Sequence, residues 1–161
     1  MATPKRQIFY SFHFANDVMR VQQIRNIGVL EENKPISPND WEEVKRKGDA
    51  SIKKWIDDNM KYRSCVVVLI GKETATRPWV IYELRKAWED GKGLLGVYIH
   101  NLKCPRTGTC AQGANPFTGT RFSQGGKDYT ISCYNPKATD AYNDIRNNLS
   151  SWIETAIAQR G

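Results

Sequence analysis

The stretch SCVVVLIGKETATRPWVIYELR, Ser64 to Arg85, decides the fold. Ser64 to Ile70 is an unbroken apolar run rich in Val and Ile, short enough for a strand and continuous enough for burial on both faces. Gly71 to Thr76 then supplies turn residues. Pro78 suits the first turn of a helix, where its missing N–H costs nothing. Val80, Ile81, Leu84, Ala87 and Trp88 follow at helical spacing and share one face. The unit reads strand, loop, helix. Glu83 falls on the rim of the apolar arc, one turn beyond Trp79. A helix N-terminus favours an ionised carboxylate, which makes Glu83 the first place to look for chemistry.

Outward from this unit the same alternation recurs. Gln7 to His13 reads as a first strand. Asn16 is a cap candidate for a helix carrying Val18, Val21, Ile24 and Ile27 and ending near Asn26–Gly28. Ser37-Pro38-Asn39-Asp40 resembles a helix start, with Trp41 and Val44 as apolar contacts. A helix over Ala50 to Met60 buries Ile52, Trp55 and Ile56. The helix over Trp79 to Asp90 is closed by Gly91. Gly93 to His100 is another strand. Leu102 to Lys127 lacks periodicity, and a loop of that length is usually functional or partly mobile. Tyr129 to Tyr134 is a late strand candidate. A C-terminal helix over about 139–160 carries Ile145, Leu149, Trp152, Ile153 and Ala156. Strands alternating with helices imply an α/β fold with a mainly parallel sheet. Ligands of such sheets sit beyond the carboxyl ends of the strands. Phe12, His13, Lys72, Arg77, Trp79 and Glu83 converge there.

Bulk properties narrow the classes. The 161 residues suit one domain with a real core, and 40% hydrophobic with 25% charged residues suits a globular protein. No apolar stretch spans a bilayer, and Met1 to Gln7 lacks a following signal-peptide core, so no membrane association and cytoplasmic residence are expected. A net charge of +7 permits anionic partners. The basic residues from Lys45 to Arg63 are interleaved with Asp49, Asp57 and Asp58, as on a solvated helical face. The alternative, a nucleic-acid-binding face, lacks any accompanying motif. Cys104 and Cys110 are separated by five residues, unlike the tight pairs of structural zinc sites, and no metal site is expected. Neither G-x-G-x-x-G nor a Walker loop is present.

Each candidate has two readings on spacing alone. Glu83 is a catalytic carboxylate or a surface partner of Lys86 or Arg85. Trp79 stacks on a ligand ring or fills the core. His13 and His100 are acid–base groups or strand-end residues satisfied by the backbone. Arg20, Lys72 and Arg77 hold phosphates or are merely solvated.

The segment VVVLIGKETATRPWVIYELRKA resembles the strand, loop and helix that carry the active-site glutamate of TIR domains, where a Trp precedes the Glu by four positions and a Leu follows it. Here those are Trp79, Glu83 and Leu84. QIFYSFHFANDVMRVQQIRN is similar to the first strand and helix of the TIR-like proteins of bacterial Thoeris anti-phage systems. NDWEEVKRKGDASIKKWID and the triplet Asn115-Pro116-Phe117 extend the likeness, which covers roughly Arg6 to Phe117. Val80 departs from the pattern, since the residue after the Trp is often Cys in animal and plant TIR domains. The expected second strand, near Ile27 to Leu30, is short.

The resemblance implies a single TIR-like, flavodoxin-like domain: a five-stranded, mainly parallel sheet of order 2-1-3-4-5 with helices on both faces. It implies cleavage of the nicotinamide–ribose bond of NAD as substrate, without a cofactor, and a cyclic ADP-ribose signal sensed by a separate effector protein. Glu83 becomes the catalytic carboxylate. Phe12, His13, Arg20, Asn26, Asp40 and Trp41 become pocket candidates. A non-catalytic TIR scaffold is the alternative, and homo-oligomer assembly on activation reconciles the two.

Overall fold

The computed structural model describes residues 6–27, 31–32, 43–104 and 108–160. Its elements are β1 (Gln7–Ser11), α1 (Phe14–Arg25), β2 (Glu31–Glu32), α2 (Asp49–Met60), β3 (Cys65–Ile70), α3 (Pro78–Glu89), β4 (Gly93–Tyr98), β5 (Phe122–Gln124), β6 (Lys127–Tyr129), β7 (Cys133–Tyr134) and α4 (Ala141–Gln159). A single 3-10 turn, Thr74–Thr76, joins β3 to α3. The main sheet has five strands in the order β2-β1-β3-β4-β7, and all four pairings are parallel. Both edge strands are only two residues long.

Strand periodicity of two sorts the core into two layers. Ile8, Tyr10, Cys65, Val67, Leu69, Leu95 and Val97 face α1 and α4, where Val21, Ile24, Ile145, Leu149 and Ile153 meet them. Phe9, Val66, Val68, Ile70 and Leu94 face α2 and α3, where Ile52, Ile56, Val80, Leu84 and Trp88 meet them. All six residues of β3 are buried because helices cover both of its faces. Helix α3 ends with Gly91 N–H on Trp88 O and Lys92 N–H on Ala87 O, the paired bonds of a glycine-terminated helix.

Four expectations shift. Helix α1 starts at Phe14 with His13 as its N-cap residue, three positions before the anticipated Asn16 cap. The second strand lies at Glu31–Glu32. Ile27, expected to begin it, packs instead against the α1 side of the core; residues 28–30, like the Ser37–Asp40 helix start and Trp41, fall outside the described residues. The stretch from Leu102 is partly ordered by pairing: Cys104 bridges Gly108, and β5 and β6 form an antiparallel hairpin whose Phe122 is buried. The late strand divides, with Tyr129 closing β6 and Cys133–Tyr134 forming the edge strand.

Two glycines let backbone and side chain crowd together above β3. A Cβ on Gly71 would collide with the Asp17 carboxylate, and one on Gly113 would collide with the Gly71 carbonyl oxygen. The Gly71→Ala variant should therefore lose about 2 kcal/mol or more, since Asp17 is fully buried and has no room to retreat. Gly119→Ala, where an added methyl meets nothing within 4 Å, should stay near wild type. Chemical denaturation of both variants measures the contrast.

Candidate functional site

Ser11 and Glu83 meet at the carboxyl end of the sheet. Ser11 is the last residue of β1 and shares a face with Phe9, the face that packs on α3. Its Oγ donates a hydrogen bond to Glu83 Oε1 at 2.7 Å, across 72 residues of sequence. Both residues are buried, Ser11 at 1% exposure and Glu83 at 7%. Glu83 is the sixth residue of α3, beyond the first turn whose free N–H groups act on charge. Burial dominates instead. It pushes the carboxyl up from its ordinary 4.5 to about 8, against a smaller opposing effect of the Ser11 hydroxyl. The expected ionised Glu83 is thus corrected to one protonated at neutral pH in the unliganded protein.

A second group of charged residues borders this pair. His13 follows Ser11 by two positions. Its Nδ1 lies 4.0 Å from Glu73 Oε2, and Arg77 Nη2 donates to the same oxygen at 2.7 Å. Burial, then Arg77, hold the His13 ring below its ordinary pKa; Glu73 opposes this and Lys45 adds to it. Glu73 and Arg77 flank the 3-10 turn that carries the chain from β3 into α3. Trp79 stands one turn before Glu83 on α3, half-buried against the core and edge-on to Tyr82 at 5.7 Å. Lys72 is exposed in the turn after β3.

Other candidates lie elsewhere. Arg20 is 1% exposed, and its guanidinium donates to Asp17 Oδ1, Leu102 O and Gly108 O at 2.9–3.1 Å. It fastens the chain after β4 to α1, and its expected phosphate contact is corrected to this internal role. Asn26 caps the far end of α1, which runs back about 18 Å from the carboxyl edge of the sheet. It is exposed and accepts a bond from the Gln22 amide, so it does not belong to this group. Phe12 packs on the α1–α4 layer, opposite the Glu83 face. Asp40 and Trp41 lie outside the described residues.

His100 is buried against Tyr98, their rings 6.1 Å apart. It lies four residues past Gly96, which registers with Val68 and through it with Ser11. That places it about 13 Å along the sheet and about 10 Å across from Ser11, too far to serve the same carbon atom.

Ser11, Glu73 and Lys45 are the participants that residue spacing missed. A hydroxyl closing an otherwise apolar strand on the α3 face was a usable signal for Ser11. Glu73 and Arg77, four apart, were a usable signal for the ion pair. Lys45 carried none.

The family described as "Thoeris protein ThsB, TIR-like domain" matches residues 9–104. This range contains Ser11, His13, Glu73, Arg77 and Glu83. A protein of Bacillus cereus (strain MSX-D12), named "Putative cyclic ADP-D-ribose synthase ThsB1", is 29% identical over 147 residues, covering 87% of this chain and 77% of the relative.

The raised Glu83 pKa has a consequence for stability. Its folded value of about 8 lies above the ordinary 4.5, so the folded protein retains a proton that the unfolded chain releases between those values. Stability from this group is full at or below about pH 4.5 and is lost as pH rises through about 8. Glu83→Gln, neutral at every pH and still able to accept from Ser11, escapes that loss. Its melting temperature should match wild type at low pH and exceed it by roughly 10–20 °C above pH 8. Thermal scans of both proteins across that range measure the crossover.

Proposed function

The chain belongs to the TIR-like domain family of the Thoeris protein ThsB, and from that premise we propose that it cleaves the nicotinamide–ribose bond of NAD and closes the ADP-ribosyl unit into a cyclic signal in anti-phage defence. The observation that carries this reading is the Glu83 carboxyl, buried at the carboxyl edge of the sheet and held by the Ser11 hydroxyl. The relative's name as a cyclic ADP-D-ribose synthase supports cyclisation as the outcome. The signal would act on a separate effector protein.

Nicotinamide departs from NAD as a neutral molecule, so no general acid is needed for departure. The barrier lies in the positive, oxocarbenium-like ribosyl group that remains. A carboxylate preorganised beside that carbon, in a site with little water, stabilises the developing charge. Glu83 is protonated at rest because it is buried and, among the described residues, no cation offsets that burial. The pyridinium ring of NAD supplies that charge, so binding favours release of the Glu83 proton. Ser11 fixes the orientation of the carboxylate as its charge develops. Trp79, one turn before Glu83 on α3, would pack the nicotinamide ring, and Arg77 and Lys72 would offer cations toward the pyrophosphate. Water at the ribosyl carbon gives linear ADP-ribose, whereas a hydroxyl or ring nitrogen of the same substrate gives a cycle.

Incubation with NAD, alone and with lysate from phage-infected cells, tests this directly. Nicotinamide and a cyclic ADP-ribose isomer are the expected products. Glu83→Gln should remain folded and lose about a thousandfold or more in turnover, the magnitude attached to a preorganised electrostatic group. Wild-type kcat/KM should rise with pH, reach half its maximum near 8 and level above it, as the free enzyme's carboxyl ionises. Unchanged turnover in the Gln variant would remove Glu83 from the chemistry.

A further inference from the structure

Attack on the ribosyl carbon by an oxygen acceptor has a proton requirement, absent for a ring nitrogen, that Glu83 does not meet while it faces the cation. When the C–N bond breaks, its electron pair leaves with nicotinamide. The oxygen of the acceptor, water or a hydroxyl of the same substrate, then bonds to the carbon and must lose its proton. A neutral base within reach of that oxygen completes the balance.

His13 has the required arrangement. Its backbone is extended, with φ −80° and ψ 100°, so it stands about 7 Å along the chain from Ser11, which holds Glu83. Its Nδ1 is buried without a hydrogen-bond partner among the described residues and lies 4.0 Å from Glu73 Oε2. Arg77 pins that same Glu73 oxygen at 2.7 Å, so the carboxylate is already oriented. No described residue bonds Nε2. The charged groups facing the ring are Glu73 and Arg77 around the 3-10 turn and Lys45 from the helical residues 43–46. Burial, then the two cations, hold the ring below its ordinary pKa and favour its neutral form, while Glu73 stands ready to receive a proton bond from Nδ1. A base whose far nitrogen is steered by a carboxylate is the nucleophile-activating pattern of hydrolytic enzymes, and its bonds are often long before substrate binds.

Resting on the NAD-cleaving reading above, we propose that His13 is a catalytic residue of the same site, the base whose Nε2 takes the proton from the attacking hydroxyl. The resulting imidazolium is paired by Glu73 and returns its proton to solvent after product leaves. Cleavage of the C–N bond needs no such base. His13 and Glu83 therefore act on separable steps.

Isotope-labelled nicotinamide separates them in the full chain, under the condition in which wild type turns over NAD. Exchange of label into NAD reports cleavage and its reversal, and ADP-ribose plus cyclic product reports transfer. In His13→Gln, product formation should fall about 100-fold or more while exchange stays within about threefold of wild type. His13→Asn keeps a favoured residue at the α1 N-cap and should behave alike, guarding against a folding defect. Added imidazole should restore part of the product formation in His13→Ala. Glu83→Gln should lose both exchange and product. Loss of exchange and product together in folded His13 variants, or no change in either, overturns the proposal. Wild type showing neither exchange nor product is a separate result: it overturns the NAD reading, and this proposal with it.

Discussion

A carboxyl group removed from water must either surrender its charge or meet a partner for it. Glu83 surrenders it. Its hydrogen-bond partner among the described residues, the Ser11 hydroxyl, donates a single neutral bond, and that is too little to hold a carboxylate in a buried site. The result is an acid poised near pH 8 at the end of a parallel sheet. Such a group is neutral at neutral pH and becomes a local anion when the pH rises past about 8 or a cation arrives. In the proposed reaction, that cation is first the pyridinium ring and then the ribosyl group.

Much of the surrounding structure serves to keep this pair in place. Strand β1 delivers Ser11 to the α3 face, and the Val80, Leu84 and Trp88 stripe seats α3 so that Glu83 points back at it. The turn between β3 and α3 is pressed tight, with Gly71 against Asp17 and Gly113 against Gly71. Arg20 ties the chain after β4 to α1 from the other layer. The Asn115-Pro116-Phe117 triplet adds a local turn, with Asn115 Oδ1 accepting from Phe117 N–H and the Phe117 ring buried beside Phe122. Functional groups thus hang on regular elements and short turns, the placement that gives the most rigid geometry.

The layers and the central strand were legible because burial on both faces leaves an unbroken apolar run, and because helical stripes at Val80–Trp88 and Ile145–Ala156 are regular. The edges were less so. A strand of two acidic residues, Glu31–Glu32, pairs with β1 through its backbone and leaves no hydrophobic pattern to read. The β5–β6 hairpin turns through Gly125 and Gly126, both at positive φ, in a stretch otherwise resembling loop. Within the site, Glu83 was legible from its place on the apolar arc, and its ionisation was not. Helix position argues for charge, whereas depth below the surface argues against it, and depth is a tertiary quantity. Arg20 misled for the same reason. A cation on the first helix suits a phosphate until packing shows its donors spent on carbonyls and Asp17.

Direct titration of the Glu83 carboxyl tests the central claim most sharply. Glutamate labelled with carbon-13 at Cδ, assigned by the resonance missing in Glu83→Gln, reports its protonation by NMR in the unliganded protein. The expected midpoint is about 8, moving downward when a pyridinium-bearing ligand binds. A midpoint near the ordinary 4.5, unmoved by such a ligand, would contradict the account.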